Sequence, residues 1–297
     1  ALTMQNNTPS QSPEPVVENE APELHDGGFR AGDYRSPLAV YNRDGRPVAL
    51  HDVYRGAACF LLCSGPSLAQ ADPAPLSRRG VVTMGLNNSP AIVRPHLWTY
   101  VDAPSRWVEQ IWQDPAILKF IPHKHHSQRF RVRDARGKLR QSRQTIGELP
   151  GVFSYFRNAR FDPDKFLTEP TFNWGCADGI TCADGASGTR TVFLVALKLA
   201  YWLGFRTLYL VGCDWHMTSE KPYAFDQAGS AGKAASNNNL YRITRHRLQL
   251  LKPHFDRAGF RVVNCTPGSA LDVFPGLSLE EAVDRATAAG PAHIKTE

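Results

Sequence analysis

Four runs of apolar, β-forming residues each end on a short polar group. Residues 57–63 lead into Ser64-Gly65-Pro66-Ser67, residues 81–85 into Asn87-Asn88, residues 97–101 into Asp102, and residues 207–211 into Asp214. Asp102, Asp214 and the nearby His216 are side chains that can take a proton from a hydroxyl. Glycine and small hydroxyl residues at a strand-to-helix turn let a ligand approach the backbone closely. Ser187-Gly188-Thr189 precede a helix expected over 191–203. Unpaired backbone N–H groups and the helix dipole favour a phosphate at such a start.

These groups need a scaffold that brings strand ends together. The run 207–211 is apolar without alternation, as in a strand buried on both faces of a parallel sheet. Polar groups repeated at strand ends suit the carboxyl edge of an open α/β sheet, where ligand crevices lie. The expected fold is therefore α/β, a Rossmann-like open, mostly parallel sheet with helices on both faces and a basic β-hairpin insertion. Further helices are expected over 107–120, 239–258 and 278–289, and a last strand over 260–264. Asp162-Pro163-Asp164 is expected to cap a helix beginning near Lys165. A small-residue loop at 227–236 has the composition of a lid. The domain reading is a disordered acidic arm at 1–28, a hairpin at 29–56 turning at Asn42-Arg43-Asp44-Gly45, a main domain at 57–290 and a tail at 291–297.

Charge is unevenly spread. The chain carries +6, yet residues 1–29 hold five acids and no Lys or Arg, so residues 30–297 carry +11. The basic insertion, 121–145, holds Lys124, Arg129, Arg131, Arg133, Arg136, Lys138, Arg140 and Arg143 against one acid, Asp134. Basic and apolar residues alternate over 129–133, which puts Arg129, Arg131 and Arg133 on one strand face. So cationic a ribbon points to a polyanion, with DNA the preferred partner. His123, His125 and His126 have no carboxylate or thiol partner nearby in sequence, which argues against a metal there. The six cysteines show no C-x-x-C pair, as expected of buried thiols in a reducing compartment, the cytoplasm. No run of eighteen apolar residues suggests a membrane span, and no signal-peptide pattern is present.

Taken together, Gly65-Pro66-Ser67-Leu68, Asn87-Asn88, Ser187-Gly188, Gly212-Cys213-Asp214, Tyr223-Ala224-Phe225-Asp226 and Thr266-Pro267-Gly268-Ser269 resemble the sialyltransferases of glycosyltransferase family 42. The Gly-Pro-Ser-Leu and Gly-x-Asp elements also resemble the domain-of-unknown-function 115 proteins, which include archaeal 6-hydroxymethylpterin diphosphokinases. The resemblance covers about residues 57–275. It implies a glycosyltransferase with a nucleotide sugar as co-substrate, a UDP-sugar being the leading choice and a divalent metal left open. Ser64, Gly65, Pro66, Ser67, Asn87 and Asn88 would hold the nucleotide, and Ser187, Gly188 and Thr189 its phosphates. Tyr223 matches a tyrosine that supports the leaving phosphate, and His216 replaces a second. The family's catalytic histidine would fall near Tyr241 or Arg242, with His246 the nearest histidine. Candidate bases are therefore His216, Asp214, Asp102 and His246. Joined to the basic ribbon, the resemblance suggests a phage-type enzyme acting on a hydroxymethylated base such as 5-hydroxymethylcytosine in the host cytoplasm. A glycan-directed sialyltransferase-like enzyme and a pterin diphosphokinase are the alternatives.

Overall fold

The structure, a computed structural model, describes residues 40–158, 161–168, 172–173, 191–218, 223–224 and 234–288. The expected arm, tail, lid loop and Ser187-Gly188-Thr189 lie outside these residues, apart from the last three positions of the loop. In chain order the elements are β1 (Val40–Tyr41), β2 (Pro47–Val48), β3 (Ala58–Leu62), β4 (Thr83–Leu86), β5 (Leu97–Thr99), α1 (Glu109–Gln113), β6 (Leu118–Pro122), β7 (Arg129–Arg133), β8 (Leu139–Thr145), β9 (Val152–Tyr155), β10 (Arg157–Asn158), β11 (Phe172–Asn173), α2 (Val192–Trp202), β12 (Thr207–Val211), α3 (Ala234–Arg257), β13 (Arg261–Asn264) and α4 (Leu279–Ala288).

Nine strands form one sheet in the order β13-β12-β3-β4-β5-β6-β9-β1-β2. From β13 to β9 every neighbouring pair is parallel, and the β1–β2 hairpin adds antiparallel strands at the β9 edge. The chain climbs outward from β3 to β9, then returns to place β12 on the other side of β3. The strand order therefore reverses between β3 and β12, a topological switch point at which the strand-exit loops part.

Helices cover both faces. Cys59, Leu61, Leu208 and Leu210 pack against α2 and α3, while Phe60, Leu62, Tyr209 and Val211 on the other face pack toward α4. α2 buries Leu194, Leu197 and Leu199 completely, each a gross gain of about 1.5–3 kcal/mol. Thr191 caps it by accepting a hydrogen bond from the Phe193 N–H at 3.2 Å, so the cap is Thr191 itself. It ends in a Schellman turn: the Phe205 N–H donates to Ala200 O at 3.1 Å and the Gly204 N–H to Tyr201 O at 3.0 Å. Gly204 takes φ +103, and a Cβ there would lie 2.7 Å from Arg55 N.

Two expected helices differ. The helix expected over 107–120 is the five-residue α1, followed by strand β6. Pro115 forces Asp114 to ψ 107, the extended conformation a proline imposes on the residue before it. No helix follows Asp162; residues 163–168 form turns, and Asp162 Oδ1 accepts from the Asp164 N–H at 3.1 Å.

β7 and β8 pair antiparallel, with Arg131 opposite Gln141 and Arg133 opposite Leu139. Phe130 and Val132 turn inward against Trp112, which leaves Arg129, Arg131 and Arg133 on the exposed face. Asp134 makes the turn, its Oδ1 accepting from the Arg136 and Lys138 N–H groups at 2.9 and 3.0 Å.

Lys119 on β6 is fully buried, its Nζ donating to Asp114 O at 2.6 Å and Ile117 O at 3.0 Å. Burial lowers its pKa from 10.5 to about 8, against an opposing pull from Asp114. Between those values the unfolded chain holds the proton and the folded protein does not. Stability should therefore rise with pH from about 8 to 10.5, while below about 8 the full cost, about 3 kcal/mol, is present. Lys119→Met should lose this contribution to the slope. Denaturant melts of both proteins from pH 7 to 10.5 check it; parallel curves would refute the assignment.

Candidate active site

A crevice of about 250 Å³ opens at the carboxyl edge, over the β3–β12 switch point. Ser64 and Gly65 line it after β3, Asn87 after β4, Asp102 after β5, and Asp214, Trp215 and His216 after β12. Residues 191–193 at the start of α2 form another wall, with Tyr223 and an α3 face of Asn237, Leu240, Tyr241 and Thr244. Of the strand-end groups expected to converge, Ser64, Asn87, Asp102 and Asp214 line the crevice, together with Gly65, His216 and Tyr223, while Ser67 and Asn88 do not.

Asp214 is the hub of the turn. Ser67 Oγ donates to Asp214 Oδ2 at 2.7 Å, and the Ser67 N–H reaches both carboxylate oxygens at 3.3 and 3.4 Å. The Gly65 N–H donates to Gly212 O at 2.9 Å, closing the first turn onto β12. The Thr266-Pro267-Gly268-Ser269 segment braces the same exit: Thr266 Oγ1 accepts from the Cys213 N–H at 2.9 Å and Ser269 Oγ donates to Cys213 O at 2.5 Å. A hydrogen bond to Cys63 and burial both push the Cys213 thiol up, which keeps Cys213 protonated rather than reactive.

Two of the three described non-glycine residues with left-handed backbone line this crevice, Asn87 at φ 50 and Trp215 at φ 59. Such conformations cost about 1–3 kcal/mol and gather at functional sites. Each is held from outside. Trp98 Nε1 donates to Asn87 O at 2.7 Å, while Trp215 donates to Tyr241 O at 3.1 Å and stacks on the Tyr241 ring with centroids 5.1 Å apart. Burial, with Tyr223 and other neighbours, raises the pKa of the Tyr241 hydroxyl. Asn238 clasps the exit loop from α3, accepting from the Met217 N–H at 2.9 Å and donating to Met217 O at 3.0 Å. The Asn237 side-chain amide donates to the Tyr223 hydroxyl Oη at 3.2 Å. These bonds fix His216, whose Nδ1 lies 3.1 Å from Asp214 O.

Other expected site residues fall elsewhere. His246 is exposed and does not line the crevice; two residues beyond Thr244 is about 200° round a helix, nearly the opposite side. Asn88 is buried in a structural role, bonding Arg106 O at 3.2 Å and the Val108 N–H at 3.0 Å. Pro66 opens the Pro66–Ala69 turn rather than lining the crevice, and Ser67 serves Asp214. Asp102 is in place and pairs with Arg106 at 2.6 Å. Among the described residues no cluster of three or more His, Cys, Asp or Glu could hold a metal: His125 stacks on Tyr100, His123 bonds Ser154 at 3.1 Å, and His126 packs on Gly147. Nor is any described helix long and apolar enough to cross a membrane. Residue reading missed Trp215, Asn237 and Thr244; the 237, 240, 241, 244 spacing on α3 was the available signal.

The sheet and its strand-order reversal define an α/β fold of Rossmann-like type. No protein-family model matches the chain, and no curated protein does. Among solved structures it is similar to the sialyltransferase CstII from Campylobacter jejuni in complex with cytidine-5′-monophosphate, at 13% identity and a TM-score of 0.40, over 76% of this chain and 86% of that one. It is also similar to the sialyltransferase CST-II in complex with a trisaccharide acceptor and CMP, at 15% identity and a TM-score of 0.38, over 74% and 86%.

Proposed function

We propose that the chain is a glycosyltransferase that moves a sugar from a nucleotide-sugar donor, a UDP-sugar first, to a hydroxyl on DNA, with 5-hydroxymethylcytosine the preferred acceptor. The observation that carries the donor reading is the crevice itself, which gathers Ser64, Asn87, Asp102, Asp214, His216 and Tyr223 at the strand-order reversal. The start of α2 would face the leaving diphosphate, where a helix dipole is favourable to anions. Tyr223 would donate to the same group. With Nδ1–H directed at Asp214 O, the Nε2 lone pair of His216 is the base that takes the acceptor proton. Asp214 holds the first turn in shape through Ser67. The Arg106-paired Asp102 lies on the same wall and is the second base candidate.

The DNA reading is supported by the ribbon's place. β6 ends at the carboxyl edge, β7 lies against α1 and the Pro104–Arg106 turn that follows Asp102, and Arg133 pairs with Glu109 at 3.3 Å. The ribbon thus adjoins the turn that follows the crevice residue Asp102, and its exposed cations would meet the phosphates of a duplex whose flipped base enters the crevice. The buried, unbridged cysteines 59, 63, 213 and 265 suit a reducing compartment such as the cytoplasm.

The test is nucleoside mass spectrometry of 5-hydroxymethylcytosine DNA incubated with the protein and UDP-, GDP- or CMP-sugars. A hexose-sized gain on the modified base is expected with a UDP-sugar. Transfer to a glycan but never to DNA would replace the acceptor and favour the sialyltransferase-like alternative.

A further inference from the structure

α3 turns one stripe toward the crevice, and Thr244 is its most deeply buried polar member, 1 % exposed. Its Oγ1 has no hydrogen-bond partner among the described residues. A helical threonine commonly returns its hydroxyl to the carbonyl four residues back, as Thr287 does on α4, donating to Val283 O at 2.8 Å. Thr244 makes no such bond. On the same crevice the Oδ1 of Asn87 is also buried without a partner among the described residues, at a residue kept in left-handed conformation by the Trp98 hydrogen bond. Buried polar atoms left unpaired are costly and rare. Two of them on one cavity are explained together by a ligand that supplies both partners. An amide oxygen needs a donor and a hydroxyl takes either a donor or an acceptor, and the hydroxyl groups of a nucleotide sugar meet both needs.

We infer that Thr244, with Asn87, forms a two-point subsite for hydroxyl groups of the nucleotide-sugar donor, and that Thr244 is a specificity-determining residue for it. The inference rests on the donor reading above. The hydroxyls belong either to the nucleotide's ribose or to the sugar being transferred, and both offer the same chemistry.

The test is calorimetric titration of wild type, Thr244→Val and Thr244→Ser with UDP and with UDP-glucose, alongside melts of the ligand-free proteins. Valine keeps the shape and removes the hydroxyl, so the ligand-free variant should melt no lower than wild type, while affinity falls roughly three- to tenfold. Serine should restore the affinity. A purely structural threonine would lower melting and binding together and would gain nothing specific from serine. Equal losses for UDP and UDP-glucose support a ribose contact, and loss for UDP-glucose alone supports a contact to the transferred sugar. Wild-type binding matched by Thr244→Val overturns the subsite and leaves the donor reading intact. A wild type that binds neither probe overturns the UDP-donor reading and the subsite with it.

Discussion

Gly65→Ala is expected to remove most transfer activity, on the order of a hundredfold, and to lower stability by about 1–3 kcal/mol. Backbone conformation is not the cause, because Gly65 sits at φ −72 and ψ 156, which alanine adopts freely. The cause is contact. A Cβ would overlap the Asp214 carboxylate and stand 2.7 Å from Gly212 O. The first turn must then move off β12, or Asp214 must release Ser67, and either shift deforms the crevice wall that Ser64, Gly65 and Asp214 form. Thermal melts and transfer rates measured on the same preparation check the prediction. Because one clash is with a side chain and the other with backbone, Gly65→Ala with Asp214→Ala should recover part of the stability lost in the single variant but little of the activity. Such coupling between neighbours is what a double-mutant cycle reads. A Gly65→Ala protein that melts and transfers like wild type would show that the turn is not packed on Asp214.

Much of this arrangement was legible in the chain. Residues 207–211, apolar without alternation, read as a strand buried on both faces, and four strands ending in polar groups implied a shared edge before any pairing was known. Alternation at 129–133 fixed which ribbon residues face outward, since Phe130 had to be buried. The failures have local causes. A proline at 115 ended α1 early, and its effect on Asp114 outweighed the apolar pattern that continues into β6. His246 was misplaced because sequence proximity does not respect helical phase, whereas Thr244, two residues earlier, faces the crevice. Asp214 was legible as a site residue but not as a brace: its commitment to Ser67 joins segments 147 residues apart, and no local pattern encodes that.

Replacing Arg131, Arg136 and Lys138 together by alanine is expected to cut DNA binding while leaving the fold and donor binding unchanged. These three are exposed and form no ion pair among the described residues, whereas Arg133 and Arg140 are paired to Glu109 and Asp134. Removing paired cations would disturb the ribbon's own structure; removing the unpaired ones changes only what it offers to a partner. Each cation that meets a phosphate contributes about 0.9 to the slope of log affinity against log salt, so the triple variant should lower that slope by roughly 2.7. Between 50 and 200 mM salt the wild type should then lose roughly fortyfold more affinity than the variant. Fluorescence anisotropy with a labelled duplex across that range measures both slopes, and titration with UDP-glucose reports the crevice separately. Phe130, Val132 and Asp134 remain to hold the hairpin, so a melting curve like that of wild type is expected. Equal salt slopes for the two proteins would mean that the ribbon does not touch phosphate, and the acceptor would then have to be sought among uncharged hydroxyl compounds.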